Sequence, residues 1–408
     1  MEKAFTDPRV EMQGIRVREP SSKGGDGEVR GKALVIGGGI GGLATAVALR
    51  RAGWDIEVFE RAPELAEVGA GLSLWRNALA ALDRIGLLGS LRALGVEGQI
   101  GAFRTPSGET LLAMKAGTTD TASEGIILLL HRAELLDVLH RAAGPDVVRL
   151  GARCIGLDQD AAAVTARFED GREARSDLLV GADGLRSVVR TALFGPEPPR
   201  YGGYTAWRAV TRFDHARLTP GETWGRGRRF GQWGMTAGRV YWYATESVPE
   251  DQGDPPEGRK QGLLKLFRGW HEPVEDLIEA TGESAILRND VYDRPALRHW
   301  SVGRATLLGD AAHPMTHDMG QGACQAIEDA IILADCLTRA SEVAEALRAY
   351  ESRRIPRTRR VVRESRQAGT IAQWSNPLAC RFREALLRSR YAARKQAEQL
   401  GWMITPQF

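Results

Sequence analysis

Cysteine is scarce in this 408-residue chain: Cys154, Cys324, Cys336 and Cys380 lie far apart and form no CxxC pair. That spacing argues against a disulfide framework or a zinc site and favours a reducing, cytoplasmic compartment. A surplus of one charge is missing too. Lys plus Arg number 55 against 52 Asp plus Glu, a formal net charge of +3, so no field marks the chain as a nucleic-acid binder. Long apolar runs are absent. The AIILADCL segment around Ile331 is interrupted by Asp335, far short of the roughly 18–20 residues that cross a bilayer. The opening stretch, EPSSKGGDGEVR, has no apolar centre of the kind a signal peptide needs. Residues 1–30 therefore read as a disordered leader.

What is present is ordinary globular composition, 43% hydrophobic and 26% charged, in a chain long enough for more than one lobe. From Lys32 the run ALVIGGGIGGLATAVALRRAGWDIEVFE reads as strand, glycine turn, helix and strand, with Gly53 closing the helix. This is a βαβ unit opening a parallel sheet. Gly37, Gly39 and Gly42 form GxGxxG between the strand and the helix. The first permits the tight turn, the second lets backbone approach a pyrophosphate, and the third lets the helix pack on the sheet. Glu60 ends the second strand, placed to accept from a ribose hydroxyl. The motif does not by itself choose between NAD and FAD.

Two distant segments extend the pattern. DLLVGADGLRSVVR sets Asp183-Gly184 at a strand end, and GRATLLGDAAHPM does the same for Gly309-Asp310. Small or acidic residues thus close three strands of one sheet, where open α/β sheets bind their ligands. HRAELLDVLHRAA predicts an amphipathic helix near Arg132. From Pro196 to Asp290 aromatic alternation takes over (YTAWRAVTRF, RRFGQWGM, RVYWYATE), which predicts antiparallel strands of a second sheet. Helical pattern returns with ACQAIEDAIILADCL and an arginine-rich C-terminal stretch. The economical architecture is α/β, one domain interrupted by another.

The segments GGGIGGL…ER, LHRAELL, DLLVGADGLRS and GDAAHPM…GQGACQAIEDA together resemble the class A flavoprotein monooxygenases, in particular their salicylate hydroxylase-, urate hydroxylase- and zeaxanthin epoxidase-like members. The resemblance implies a Rossmann-like FAD-binding domain of the GR2 type, interrupted by an antiparallel β-sheet substrate domain and followed by C-terminal helices. The corresponding segments are 31–97, 126–195 and 291–345 for the first, 98–125 and 196–290 for the second, and 346–408 for the helices. It also implies FAD as cofactor, NADH or NADPH as co-substrate, O₂, and a small aromatic or polyunsaturated substrate hydroxylated or epoxidised through a C4a-hydroperoxyflavin. Gly37, Gly39 and Gly42 would wrap the pyrophosphate and Glu60, with Arg61, the adenosine ribose. Ala70, Gly71 and Arg132 would lie along the cofactor, and Asp183 would serve FAD and the reduced nicotinamide. Asp310 would bind the ribityl chain, and Gly320, Gly322 and Ala323 would bring a helix start to the isoalloxazine. There is no second GxGxxG and no separate nicotinamide domain.

Two residues are candidates for the chemistry. Arg208, in YTAWRAV, falls on a strand of apolar and β-forming residues, where a buried, paired arginine is more expected than a solvated one. The resemblance places it in an active-site WRG motif, here with Ala209 in place of glycine. His317-Asp318 stands where relatives commonly carry Pro-Asn. An imidazole of ordinary pKa there, about 6.5, could assist deprotonation of a phenolic or enolic substrate. Tyr204, Trp207, Phe230, Trp233, Tyr241, Trp242 and Tyr243 could wall a dry pocket, though alternation turns about half of them away. His313 and His317 are four apart but separated by Pro314, and no metal is expected. The run SRRIPRTRRVVRESR reads as the solvated face of a helix. A flavin dehydrogenase, reductase or halogenase without oxygen insertion is the alternative, although the Trp-x-Trp-x-Ile-Pro halogenase segment is missing. A non-catalytic flavin-binding protein is the alternative of another class.

Overall fold

The structure is a computed structural model that describes residues 30–65, 70–98, 101–113 and 127–408. The expected leader, apart from Arg30, and the stretch 114–126 lie outside the described residues.

Strand β1 (Lys32–Ile36) is almost wholly buried, as a parallel strand covered on both faces must be. It runs into helix α1 (Ile40–Arg51), and the chain returns parallel to β1 as β2 (Asp55–Phe59). After β3 (Gly71–Trp75), strand β4 (Ile127–His131) pairs antiparallel with it and leads directly into α2 (Arg132–Ala143). The His131 ring accepts from Ala133 N, and Glu134 reaches back to the His131 N–H, a capping box that starts the helix at Arg132.

Strand β5 (Leu178–Gly181) joins β1 on its other side, and α3 (Val188–Phe194) follows it. The aromatic region supplies β6 (Arg200–Arg212), β7 (Gly221–Trp224), β8 (Arg228–Gly234) and β9 (Arg239–Glu246). Two short helices, α4 (Arg259–Leu266) and α5 (Val274–Glu279), precede β10 (Leu287–Asp293). The chain then re-enters the first sheet as β11 (Ala305–Leu307). It ends in α6 (Gly322–Arg339), α7 (Val343–Ala372), α8 (Pro377–Leu387) and α9 (Arg390–Ile404).

Two sheets dominate. In the first, the order is Ser301–Val302, β11, β5, β1, β2, Val148–Arg149, and β11, β5, β1 and β2 are mutually parallel. Helices α1, α2 and α6 pack together on it, burying Leu43, Val47, Ile327 and Ile331 among others. In the second, the order is β10, β6, β9, β8, β7, Ala102–Arg104, Thr110–Ala113. Its Trp207, Phe230 and Trp242 point into a core with Leu263 and Phe267 of the α4 region and Leu277 and Ile278 of α5. That face is closed by helices, so alternation leaves the opposite face for the first sheet's loops.

The closeness of α1 to β1 hangs on Gly42: a Cβ there would overlap the Gly37 carbonyl oxygen. Gly42→Ala must push α1 off the strand, an overpacking cost of about 1–3 kcal/mol. We expect a lowered melting temperature; a variant that melts like wild type would contradict this packing.

Candidate functional site

The three parallel strands end side by side. Gly37 N donates to Phe59 O (2.8 Å), Ala182 N to Ile36 O (2.8 Å) and Leu308 N to Gly181 O (2.9 Å). This ladder brings the Gly37–Gly42 turn, the Asp183-Gly184 turn and the Gly309-Asp310 turn to one edge of the sheet. α1 begins at Gly39 without a side-chain cap, and a Cβ on Gly39 would meet only open space. An uncapped helix start facing a void is a cradle for phosphate oxygens. Glu60 borders it, its carboxylate accepting from Gly38 N (2.7 Å) and Ala62 N (2.8 Å). Lone pairs remain for ribose hydroxyls. Arg61 is exposed and makes no hydrogen bond or ion pair among the described residues.

Asp310 is solvent-exposed, yet surrounding protein desolvates its carboxyl enough to raise its pKa, with His313 and Arg132 opposing. Accessibility combined with desolvation describes the wall of a cleft. Gly322, first residue of α6, lies on its edge, since a Cβ there would be 3.9 Å from Asp310 Oδ1. Gly320 adopts a left-handed φ of 60° just before the helix. Ala323 is half-buried on the next position. On the other strand pair, Ala70 O accepts from Arg132 N at 3.1 Å. The expected residues Arg132, Asp310, Gly320 and Gly322 thus converge, and their donors and acceptors fit a flavin dinucleotide extended from the glycine turn.

Two expected residues behave differently. The Asp183 carboxylate is committed to its own turn, accepting from Ser187 Oγ (2.5 Å), Val188 N (2.7 Å) and Val189 N (3.1 Å) at the start of α3. Its side chain thus positions the turn that carries Gly184. Gly71 is held tight by the second sheet: a Cβ there would overlap the Tyr241 side chain.

The open face of the second sheet carries Tyr204, Arg208, Trp233, Tyr241 and Tyr243. Arg208 lies opposite Tyr243 across the β6–β9 ladder and shares its face. Trp233 stacks near Tyr241 and Tyr243, with centroids 6.2 and 5.9 Å apart. His317 meets the rings of Tyr204 and Tyr243 edge-on at 5.8 and 5.6 Å. Arg208 is half-buried and has no hydrogen bond or ion pair among the described residues. The paired arginine expected on this strand is an unpaired one, its charge sensed by Tyr241 and His317.

The expectation of a histidine titrating near neutrality is overturned. Burial foremost, then the Arg208 guanidinium, lower the His317 pKa to about 3. Its two ring nitrogens are inaccessible and have no hydrogen-bond partner within the described structure. His317 is a neutral imidazole with one N–H and one lone pair free, unable to act as a base of ordinary strength. Its neighbour Asp318 anchors the loop, accepting from Arg229 Nη2 (2.5 Å) and Tyr204 Oη (2.6 Å). Burial opposes ionisation of Asp318, but Arg229 holds its carboxyl below the ordinary range.

Residues that sequence reasoning passed over brace the site from behind. Arg190 of α3 donates to Ala311 O (3.2 Å) and Ala312 O (3.1 Å). Asp329 of α6 accepts from Gly309 N (3.1 Å), bonds His313 Nε2 (2.6 Å) and takes Arg354 Nε (2.5 Å). Burial pushes the Asp329 carboxyl up, yet Arg354 and His313 bring it down to about 2. His313 and His317 therefore belong to separate networks. The sequence signal was two adjacent acids, Glu328 and Asp329, within the buried stretch Cys324–Ala334 of the helix.

The FAD binding domain family profile matches residues 30–365. The aurachin C monooxygenase/isomerase of Stigmatella aurantiaca is 46% identical over 366 residues, covering 89% of this chain and 95% of that protein. The chloroplastic zeaxanthin epoxidase of Nicotiana plumbaginifolia is 38% identical over 79% of this chain, which spans about half (52%) of that protein. The crystal structure of Klebsiella pneumoniae HpxO complexed with FAD and uric acid superposes with a TM-score of 0.83 at 32% identity, covering 91% of this chain and 95% of that one.

The depressed His317 pKa has a signed consequence. The unfolded chain takes up a proton near pH 6.5 and the folded chain only near pH 3, so His317 stabilises the fold above pH 6.5 and this contribution is lost as pH falls. Between pH 7 and pH 5 wild type should lose about 2 kcal/mol more than His317→Asn in urea unfolding. Parallel losses in the two proteins would show that the ring is hydrated.

Proposed function

The chain belongs to the FAD-binding-domain family and is an FAD-dependent monooxygenase, and from that premise we propose that it couples NADH or NADPH and O₂ to the hydroxylation or epoxidation of a small aromatic or polyunsaturated molecule with a polarised or anionic oxygen. Within this proposal, segments 31–97, 126–195 and 291–345 hold the flavin, 98–125 and 196–290 wall the substrate, and 346–408 brace both. Bound FAD supplies the activated oxygen. The chain's own residues bind, orient and exclude water.

The observation that carries the reading is Arg208: a half-buried, unpaired guanidinium on a ring-lined sheet face, beside the loop that leads into the Gly320–Gly322 turn. An uncompensated cation in such a place is stabilised by an anionic oxygen arriving with the substrate. Neutral His317 packs edge-on against Tyr204 and Tyr243, and Tyr241, Tyr243 and Trp233 supply apolar walls with polar tips. Gly37, Gly39, Gly42, Glu60 and Asp310 are assigned to FAD, with Arg132, Gly320, Gly322 and Ala323 along its inner length. The backbone around Ala70, Gly71 and Asp183 completes the cleft, and Arg61 lies at its outer end. No described helix is long and apolar enough to cross a membrane. The four cysteines, all buried and unpaired, accord with a cytoplasmic setting.

Arg208→Gln should keep its FAD and lose substrate-stimulated NAD(P)H oxidation, or its coupling to product, by about 10–100-fold, the worth of one charged hydrogen bond. The assay is reductant and O₂ consumption with phenols, quinolones and polyketides as candidate substrates. Wild-type coupling in the variant would return Arg208 to a structural role; anaerobic turnover by wild type would favour a dehydrogenase.

A further inference from the structure

The arginine run of α7 does not form one solvated face. Arg354 and Arg357 are buried against Glu328, each within 2.9 Å of its carboxylate. Arg353 pairs with Asp335 and Arg360 with Glu364, both at 2.6 Å. Three others, Arg359, Arg363 and Arg366, turn the other way. With Arg200 and Arg294 they line a cleft of about 720 Å³ between α7 and the turn after β10.

Positive charge in this cleft is poorly compensated. Asp293 is shared, its carboxylate taking Arg200 and Arg366 at 2.8 Å each. Buried Arg294 donates to the carbonyls of Leu185 and Glu197 and has the Glu197 carboxylate, shared with Arg190, 3.8 Å away. Arg359 has one long bond, 3.5 Å to Leu297 O, and Arg363 has no hydrogen bond or ion pair among the described residues. Arg359 and Arg363 are four apart on an exposed helix face, an arrangement that by itself destabilises a helix. The fold gains nothing visible from it. Several guanidinium forks converging on a concavity match phosphate oxygens, and the volume lies within the ~300–1,000 Å³ of small-molecule sites.

Location narrows the choice of anion. The opposite face of α7 packs on the substrate loop: Ser365 Oγ donates to Thr316 O (2.6 Å), and the Asp318 carboxylate lies against Gly369. Arg294, in turn, grips Leu185, next to the Asp183-Gly184 turn. The cleft therefore lies beside the Asp183-Gly184 turn and one helix away from the Thr316–Asp318 loop. The single GxGxxG is assigned to FAD, so a dinucleotide reductant needs a second place for its phosphates.

We propose that this arginine cleft is the docking site for the phosphates of the reduced nicotinamide dinucleotide. The inference rests on the reading of the protein as a reductant-dependent monooxygenase.

The FAD-loaded protein is titrated calorimetrically with ADP and with adenosine 2′,5′-bisphosphate. Wild type should bind at least one of them, and the better ligand reports whether pyrophosphate or 2′-phosphate is held. Arg359→Ser/Arg363→Ser should weaken that binding roughly tenfold or more and raise the KM for the dinucleotide by a similar factor, with flavin content retained. A control pair, Arg381→Ser/Arg390→Ser, removes equal charge from exposed positions on α8 and α9 and should change neither. Failure of wild type to bind either nucleotide, wild-type affinity in the Arg359/Arg363 variant, or equal weakening in the control would each overturn the proposal. Wild type that turns over no reductant with any substrate would instead remove the parent reading, while the nucleotide titration still reports on the cleft.

Discussion

Everything at the flavin edge depends on the parallel pairing of β11, β5, β1 and β2. Parallel register aligns strand ends, so segments some 270 residues apart in sequence deliver their turns to one line. A slip of one residue in any of these pairs would reverse which side chains face the helices and carry a turn away from the cleft. The Gly37, Ala182 and Leu308 amides fix that alignment with backbone bonds, which makes the site a property of the sheet rather than of any one loop.

Behind this edge sits a buried ionic cluster. Glu328, Asp329, Arg354 and His313 are nearly or wholly inaccessible, and each charge has a partner. Such clusters contribute little net stability compared with apolar packing, because desolvation offsets attraction. Their worth here is positional. Asp329 ties the Gly309 amide to α6 and, through Arg354, to α7. The same logic recurs at Asp318, where Arg229 and Tyr204 fasten the Thr316–Gly320 loop to the second sheet.

The fold was legible because its signals are local. GxGxxG with flanking strands, and aromatic alternation between Tyr201 and Glu246, each specify an element without knowledge of its neighbours. The placement of Gly37 and Asp310 at strand ends was legible because their motifs carry the turn with them. What escaped depends on three-dimensional neighbours. The His317 pKa is set by rings and a guanidinium from strands more than 70 residues away, and no spacing rule encodes that. Arg354 and Arg359 sit five apart in one run, and only the packing of α6 separates a buried ion pair from a charged cleft. Asp183 carries a motif signature yet uses its carboxylate within its own turn.

On the proposed reading, three strand ends hold one FAD with its reactive end between the Asp310–Gly322 turn and the Tyr241–Tyr243 face. A crystal structure of the FAD-loaded protein tests it most directly. The pyrophosphate should lie against the Gly37–Gly42 turn, Glu60 at the adenosine ribose, and the isoalloxazine beside Gly320–Ala323, within reach of the space in front of Arg208. A flavin seated elsewhere, or an isoalloxazine separated from Arg208 by packed side chains, would contradict it.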